Sequence, residues 1–144
     1  MSGLFSAMDI SASGLSAERL RMETTANNIA NANTTRTENG DPYRKKSVVF
    51  SSEMERAGRY SIARDLTGVE VIGIEADQSD FPVVYSPGHP HADENGMLRT
   101  SNVKIPNEMV DLITASRSYE ANLKSISLFK EMVEQSLTLL RGGS

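Results

Sequence analysis

The sequence predicts a mainly α-helical protein with a small β subdomain: the N- and C-terminal helices form a coiled-coil stalk, and a short β-rich insertion lies between them. Two observations indicate the helices, because each end of the chain repeats apolar residues in alternating steps of three and four. A third indicates the insertion, because residues 34–106 contain all five prolines and most of the ten glycines. We therefore expect helices over residues 1–33 and 107–144, and an extended linker and β-rich region over residues 34–106.

The C-terminal repeat is the stronger of the two, since eight of its ten positions are apolar. Its positions are Met109, Leu112, Ser116, Tyr119, Leu123, Ile126, Lys130, Val133, Leu137 and Leu140. A 3.5-residue period maintained over this length predicts a supercoiled helix. We expect the helix to start near Asn107 as N-cap, just after Pro106, and to end at Arg141 before Gly142, which gives a rod of roughly 50 Å.

The N-terminal repeat is weaker. Its positions are Phe5, Met8, Ala12, Leu15, Arg19, Met22, Ala26 and Ile29. The helix should run from Ser2 to about Asn31, and Gly14 on its small-residue side either permits close approach of another helix or is merely tolerated. We call these two repeats the predicted seams. They should pair within one chain, so that Leu15 and Met22 lie near residues 123–133.

Charged residues interrupt both predicted seams, at Arg19 and Lys130. Each charge either sets the register of the helices or extends past the seam into water. A cluster of asparagines at the end of the first helix, Asn27, Asn28 and Asn31, is also open to two interpretations. It is a polar recognition face or, as we favour, the fraying end of a helix made of poor helix formers.

The middle of the chain contains three predicted strands. Residues 43–50 and 69–75 alternate in the manner of half-buried strands, and residues 82–85 form a short run that Pro82 places at a sheet edge. Residues 39–42, which read NGDP, predict a turn, and residues 95–96, which read NG, predict a tight hairpin turn. The basic trio at residues 44–46 is interpreted as a solvated strand face.

Composition excludes several classes of function. The net charge of −4 gives no basic footprint for nucleic acid, and the absence of cysteine excludes disulfides, thiolate metal sites and thiol nucleophiles. Residues 1–15 lack the features of a signal peptide, and no segment is apolar enough to span a membrane. The chain is therefore expected in the cytosol unless another export route exists.

One loop carries metal-binding residue types. Residues 87–94, which read PGHPHADE, contain His89, His91 and two carboxylates, and zinc accepts such ligands. A small metalloenzyme built on this loop is therefore one alternative. The prolines and glycine indicate an irregular structural turn, however, and no serine or carboxylate pair is placed for catalysis with these histidines. We expect a turn that binds no metal and a protein that is not an enzyme and uses no cofactor.

Five stretches of the sequence resemble one known family. Residues 13–15 (SGL) and 26–31 (ANNIAN) are similar to the N-terminal signature of bacterial flagellar rod and hook proteins. Residues 42–50 (PYRKKSVVF), residues 85–94 (YSPGHPHADE) and residues 108–122, which begin EMVD, resemble the flagellar basal-body proximal rod proteins of the C type. Met97, Leu98 and Ser101 depart from the family pattern, which leaves the local hairpin geometry open.

The resemblance implies a mechanical function. Proteins of this family polymerise helically into a hollow drive shaft, with the terminal helices innermost, and transmit torque from the motor to the distal rod and hook. The implied location is the periplasmic rod of the flagellar basal body, reached through the flagellar type III export apparatus without a cleaved signal peptide. The implied partners are copies of the chain, other rod proteins, and proteins at the junction of motor ring and export gate, with no nucleic acid and no small-molecule substrate.

The expected assembly interface comprises large side chains of both predicted seams and two of the asparagines. Its residues are Phe5, Met8, Leu15, Met22, Asn27, Asn28, Ile29, Met109, Leu112, Tyr119, Leu123, Ile126, Val133, Leu137 and Leu140. The alternative to the rod function is a cytosolic coiled-coil adaptor that uses the same seams for another partner. An adaptor would form a stable soluble oligomer when purified alone.

Overall fold

The computed structural model describes residues 2–52 and 68–142, with the side chains of residues 2–6 and 52 outside that description. Two helices enclose a β region in sequence. The elements are α1 (Ser2–Ala30), β1 (Lys46–Ser52), β2 (Val69–Ala76), β3 (Val83–Tyr85), β4 (Met97–Arg99) and α2 (Ile105–Arg141). The mainly helical fold with a small β region, expected from the sequence, is therefore present.

α1 ends within the asparagine cluster, between Asn28 and Asn31. The last helical residue is Ala30, and the Asn31 side chain then donates to the Asn27 carbonyl at 2.9 Å. The Thr34 amide donates in turn to the Asn31 carbonyl at 2.9 Å, which continues the chain as a turn. Asparagine competes for backbone hydrogen bonds in this way at helix ends, so the predicted helix terminus is correct to within one residue.

α2 begins earlier than the sequence predicted. The helix starts at Ile105, and the Lys104 carbonyl accepts hydrogen bonds from the amides of Asn107 and Glu108. Asn107 is thus inside the first turn and is not the N-cap. Pro106 fits that turn because the first amides of a helix need no carbonyl partner within it. The predicted end at Arg141 is correct, and the amide of Gly142 donates to the Thr138 carbonyl.

The four strands form two separate two-stranded sheets within the described residues. β1 pairs with β2, and β3 pairs antiparallel with β4 in the register Val83 to Arg99, Val84 to Leu98 and Tyr85 to Met97. Residues 43–45 were predicted as strand but precede β1. Their amides are used elsewhere, since Tyr43 N donates to Thr34 O and Lys45 N to the Asn102 side chain.

The two predicted turns are present, with one difference. Gly40 and Gly96 adopt φ of 86° and 75°, a region that favours glycine. The Gly96 amide donates to the Asp93 carbonyl, which closes a tight turn. This turn does not join two strands directly, because residues 86–96 all lie between β3 and β4. The NG signal therefore located a turn correctly but not the whole hairpin connection.

Burial in the β region is lower than predicted. β1 is half-buried over residues 48–51, whereas most of β2 is exposed, including Ile72 and Ile74. In β4, Leu98 alone is buried. The strand period was therefore predicted correctly, and in β2 half-buried Val71 and Gly73 alternate with exposed residues.

The chain divides into two compact units, and both helices contribute to each. Unit 1 comprises Met1–Leu20, Phe50–Ile72 and Ala115–Ser144, and unit 2 comprises Arg21–Val49 and Gly73–Thr114. Their buried apolar residues are few and mostly small. Among the described residues they are Ala17, Ala32, Leu98 and Ala115. Neither of the two described helices is long and apolar enough to cross a membrane.

The buried face of each helix is displaced from its predicted seam. On α2, residues at intervals of seven turn inward: Glu108 and Ala115 are buried, and Asn122 and Phe129 are half-buried. Five of the ten predicted seam positions are instead exposed. They are Met109, Leu123, Lys130, Leu137 and Leu140. The seven-residue period was predicted correctly. Choosing the most hydrophobic residue in each turn, however, placed half of the predicted seam at exposed positions.

α1 shows the same displacement. Its buried residues are Ala17, Thr24, Thr25 and Asn28, and Ile10, Gly14 and Arg21 are half-buried. The predicted positions Ala12, Arg19 and Ala26 are exposed, while Met8, Leu15, Met22 and Ile29 are half-buried. Small and polar side chains thus occupy the inner face of α1, which explains why a search for apolar residues missed half of it.

Candidate assembly surface and buried polar cluster

Unit 2 contains a polar cluster centred on Asn28, near the end of α1. Asn28 is 1% exposed, and both groups of its amide are used twice. Its Nδ2 donates to the Lys46 carbonyl and to Glu108 Oε2, each at 2.8 Å. Its Oδ1 accepts from the Lys46 amide and the Tyr43 hydroxyl, each at 3.0 Å. A buried amide with four partners is fully satisfied, so its orientation is fixed.

Glu108 brings a negative charge into this cluster from the first turn of α2. The residue is 1% exposed, and its Oε1 lies 2.6 Å from Lys45 Nζ. Oε1 accepts no hydrogen bond of good angular geometry, so the ion pair with Lys45 is what compensates its burial. The Lys45 side chain keeps 24% exposure, so only the carboxylate is fully removed from water.

Tyr43 and Asn102 complete the cluster. Burial raises the pKa of the Tyr43 hydroxyl, and the nearby negative charge of Glu108 raises that pKa further. Asn102 accepts the Lys45 amide at 2.7 Å and donates to Ser79 Oγ at 3.0 Å. We define the polar cluster as Asn28, Tyr43, Lys45, Asn102 and Glu108. It connects the end of α1, the residues before β1 and the start of α2.

The basic trio is not the solvated face that the sequence suggested. Arg44 Nη1 donates to the carbonyls of Asp77 and Ser79, and its guanidinium lies 4.2 Å from the centre of the Phe81 ring. Lys45 pairs with buried Glu108, and only Lys46 is exposed. Fixed partners therefore occupy two of the three cations. Arg44 contacts a turn that contains Asp77 and Ser79. Hydrogen bonds from Ser79 to the Asp77 carboxylate order this turn locally and lower the pKa of Asp77.

The asparagines have separate roles. Asn28 is neither a fraying residue nor an exposed recognition residue, because it is buried inside its own chain. It offers no surface to another subunit in this conformation, although it was among the expected interface residues. Asn27 is exposed, and Asn31 ends the helix. The preference for a fraying helix end was therefore wrong for Asn28.

In unit 1 the two helices approach each other through small residues. A Cβ atom added to Gly14 would lie 2.9 Å from Asn122 Nδ2, so the absence of a side chain permits the approach. This supports the first of the two interpretations of Gly14. The neighbouring Ser13 Oγ accepts from the Val69 amide at 3.1 Å and donates to the Ile10 carbonyl at 2.7 Å, which ties α1 to β2.

A shallow apolar groove of about 400 Å³ lies farther along the same pair of helices. Its walls come from the first three turns of α1 and from the second half of α2. The lining residues are Ala7, Ile10, Ser11, Ser125, Leu128, Phe129 and Met132. Low-numbered residues of α1 thus face high-numbered residues of α2, and Gly14 faces Asn122. Within unit 1 the helices are therefore antiparallel.

Large apolar side chains are exposed along the whole of α2, including two that line the groove, Leu128 and Met132. Large side chains with about half or more of their surface exposed continue along the helix. They are Met109, Val110, Ile113, Leu123, Leu128, Met132, Leu137, Leu139 and Leu140. They are distributed around the helix, and exposed apolar surface of this extent marks interaction sites in soluble proteins. We call these nine residues the outer apolar face.

The expected interface residues are divided between the two faces of the helices. Met109, Leu123, Leu137 and Leu140 belong to the outer apolar face. The other described apolar members are half-buried: Met8, Leu15, Met22, Ile29, Leu112, Tyr119, Ile126 and Val133. The Phe5 side chain lies outside the described part of the chain. Lys130 forms an exposed ion pair at 3.8 Å with Glu134, one turn along α2.

The histidine loop is connected to the linker after α1. His91 Nδ1 lies 2.8 Å from Thr35 Oγ1, and the His91 amide donates to His89 Nδ1 at 3.1 Å. The ring centres are 5.3 Å apart in an edge-to-face arrangement. Over the described residues, no group of three or more histidine, cysteine, aspartate or glutamate side chains is arranged to hold a metal ion.

The polar cluster joins three of the stretches that carried the family resemblance. Asn28 comes from the ANNIAN stretch, Tyr43 and Lys45 from the PYRKK stretch, and Glu108 from the EMVD stretch. Sequence reasoning treated these stretches separately and named neither Glu108 nor Lys45 as functional. The available signal was a charged residue at an inward position of α2, seven residues before Ala115.

Two known families match the ends of the chain. Residues 8–36 match the family described as "Flagella basal body rod protein". Residues 94–139 match the family described as "Flagellar basal body rod FlgEFG protein C-terminal". Each match includes one partner of the bond between Asn28 and Glu108. The terminal helices and these matches together define a rod protein of the flagellar basal body.

Relatives that align over nearly the whole chain narrow this class. The chain is 42% identical to the flagellar basal-body rod protein FlgC of Aquifex aeolicus, over 94% of this chain and 96% of the relative. It is 38% identical to that of Borreliella burgdorferi, over 97% and 99%. It is 37% identical to that of Salmonella typhimurium, over 94% and 97%. The chain belongs to the FlgC family and is a structural subunit of the proximal rod of the flagellar basal body.

Proposed function

We propose that this subunit polymerises helically into a hollow shaft and transmits torque from the motor to the distal rod and hook. The observation that carries the proposal is the outer apolar face of α2. Leu139 and Leu140 are 79% and 78% exposed, and each large apolar side chain left in water forgoes about 1.5–3 kcal/mol of burial. Neighbouring subunits would cover this surface in the rod.

The contacts inside the chain support different roles for different residues of the helices. Small and polar residues at Gly14 and Asn28 pair α1 with α2 within one subunit, while most of the large apolar residues of α2 remain exposed for other subunits. In this proposal the paired helices form a coiled-coil layer on the inside of the shaft. The half-buried residues of the predicted seams lie at its margins, where both kinds of contact are possible.

The proposed partners follow from the place of the subunit in the basal body. They are copies of this chain, other rod proteins, and proteins at the junction of motor ring and export gate. The chain would reach the periplasmic rod through the flagellar type III export apparatus, without a cleaved signal peptide. A torque-bearing subunit of this kind performs no catalysis and needs no cofactor.

Truncation of α2 tests the proposal. Removal of Ser127–Ser144 deletes five of the nine residues of the outer apolar face and leaves the whole of α1 in place. We expect cells carrying it to secrete the subunit but to build no rod and lose motility. Replacement of Lys130 by alanine is the control, because it changes an exposed residue in the same segment. Motile cells carrying the truncation would contradict the proposal.

A further inference from the structure

The inner faces of α1 and α2 leave the register of the helices weakly defined by packing alone. Both faces repeat every seven residues, so a slide of one heptad would place inward residues against inward residues again. Several side chains of α1 on this face are small, including Gly14, Ala17 and Thr24. Small side chains fill several registers almost equally well. Something else must select one of them.

We propose that the polar cluster is the determinant of helix register in this chain. Glu108 is buried, and its two oxygens have one interaction each, with Asn28 and with Lys45. Asn28 also binds both backbone groups of Lys46, next to the lysine that neutralises Glu108. The amide therefore brings the counter-ion to the carboxylate. In any other register this carboxylate loses its partners while remaining on the inner face.

One alternative register would still place a cation beside Glu108. Arg21 is half-buried seven positions before Asn28, so a slide of one heptad in that direction would bring its cation near Glu108. Charge pairing alone would tolerate that register. The amide of Asn28 discriminates against it, because Asn28 stays bound to Tyr43 and Lys46 beside α1, and the slide would remove its hydrogen bond to buried Glu108. One buried asparagine that specifies register is an established use of buried polar groups in helix pairs.

This inference concerns pairing inside one chain and does not depend on polymerisation. A cluster that sets the register and a cluster that only stabilises the fold predict different effects of substitution. Replacing both polar partners by leucine would supply apolar contact yet remove the discrimination between registers. Such exchanges of buried charges for apolar residues often preserve stability. We therefore expect the helices of Asn28→Leu, Glu108→Leu to pair in more than one register.

Disulfide trapping distinguishes the registers, because the chain has no cysteine of its own. Ser11 and Ser125 line the same groove, so the pair Ser11→Cys, Ser125→Cys reports the observed register. The pair Ser11→Cys, Ser118→Cys reports the register displaced by one heptad towards Arg21. Each pair is introduced into the full-length chain with the native cluster, and the yield of the intrachain bridge is measured by electrophoresis without reductant.

With the native cluster, the bridge between positions 11 and 125 should exceed the bridge between positions 11 and 118 by about tenfold or more. In Asn28→Leu, Glu108→Leu that ratio should fall towards one. Thr24→Val is the matched control, because it removes a buried hydroxyl from the same face of α1 and should leave the ratio unchanged. The experiment is done on the purified chain and repeated on isolated basal bodies wherever the variant assembles.

A second variant covers the case in which the double variant does not fold. Glu108→Gln keeps an acceptor for the Asn28 amide but removes the charge, so the native ratio should be retained. Asn28→Leu alone should lower the ratio even with the carboxylate present. An unchanged ratio in both Asn28→Leu and the double variant would overturn the inference. So would an equal loss of both bridges in those variants, which is the result for a purely stabilising cluster.

Discussion

The same two helices contact each other by different means in the two units. In unit 1, the contact consists of a glycine beside an asparagine and an apolar groove, and few of its groups are charged. In unit 2, the contact consists of a buried carboxylate, an amide and a lysine. The contact in unit 1 tolerates small shifts of one helix against the other, because such shifts cost little free energy. The contact in unit 2 is selective because each lost partner leaves a buried polar group unsatisfied.

This difference teaches how a subunit with little apolar core can still have a defined structure. Its buried apolar side chains, among those described, are three alanines and one leucine. Most of the large apolar residues of α2 remain on the outside. Polar selectivity in one unit and close approach in the other therefore define the chain, and apolar burial is left for contacts with other molecules.

The largest expected effect is at Glu108. Glu108→Ala removes the carboxylate and leaves the amide of Asn28 and the ammonium of Lys45 without their partner. We expect the free energy of unfolding to fall by about 3 kcal/mol, as for breakage of a buried ion pair. Urea denaturation followed by circular dichroism measures it. Glu120→Ala, at an exposed position of the same helix, should change it by less than about 0.5 kcal/mol.

If Glu108→Ala behaved like Glu120→Ala, the contrast between the two units would be unfounded. The polar cluster would then be an incidental set of contacts, and the tolerant kind of packing would describe both units. A loss confined to the variant at Glu108 would confirm the contrast.

The next effect is at Gly14. A leucine there must displace Asn122, because even its Cβ would lie 2.9 Å from the Asn122 amide, and overpacking of this kind costs about 1–3 kcal/mol. Gly14→Ala should be close to neutral, since the end of a flexible side chain can move aside and alanine favours a helix by about 1 kcal/mol.

A double-mutant cycle isolates that contact. In a chain carrying Asn122→Ala, the change Gly14→Ala should become stabilising by about 1 kcal/mol, because only the helix propensity remains. The same urea titration measures it. Equal effects of Gly14→Ala with and without Asn122 would show that the close approach has no energetic consequence.

A smaller, pH-dependent effect is expected at Tyr43. Its hydroxyl donates to Asn28, so Tyr43→Phe should cost about 1 kcal/mol at neutral pH. Because the pKa of Tyr43 is raised in the folded chain, the folded state holds this proton at pH values where the unfolded chain has lost it. The associated stability is complete below the ordinary tyrosine pKa of about 10 and is lost as the pH rises through the folded value.

Comparison of stability at neutral pH and above pH 10 tests this sign. The native chain should lose more stability over that interval than Tyr43→Phe does. Tyr85→Phe is the control, since Tyr85 is exposed on β3. An identical alkaline loss in the native chain and in Tyr43→Phe would exclude a buried, charge-coupled hydroxyl at this position.

The smallest effect is expected at Lys130. Its pair with Glu134 is exposed and 3.8 Å long, and such pairs within a helix contribute about 0.3–0.5 kcal/mol. Lys130→Ala should therefore change the free energy of unfolding by no more than that, with any loss smaller at high salt. A loss above about 1 kcal/mol would instead support a register-setting role for this charge.

The sequence predicted the elements well where one local signal sufficed. The period of α1 and α2, the strand at β2 and the glycine turns all depend on neighbouring residues, and all are present. The inner faces were displaced by one residue for a physical reason. Hydrophobicity ranks large apolar side chains first, but Gly14, Ala17 and Asn28 of α1 present small and polar groups to α2.

The polar cluster could not be predicted from any local pattern. Asn28 and Glu108 are 80 residues apart, and each alone is typical of an ordinary position near a helix terminus. Lys45 was assigned to a solvated face because its neighbours are also basic. Only the fold shows that the three side chains contact each other. Because Glu108 is buried, its carboxylate needs both of these partners to be satisfied.

The most direct test of the account measures whether assembly covers the outer apolar face. Leu123→Cys and Leu137→Cys place single thiols on that face, and Ala115→Cys places one on the inner face. A maleimide reagent should label positions 123 and 137 in the purified chain and leave both protected in isolated basal bodies, with position 115 protected in both. Full labelling of positions 123 and 137 in assembled rods would contradict the account.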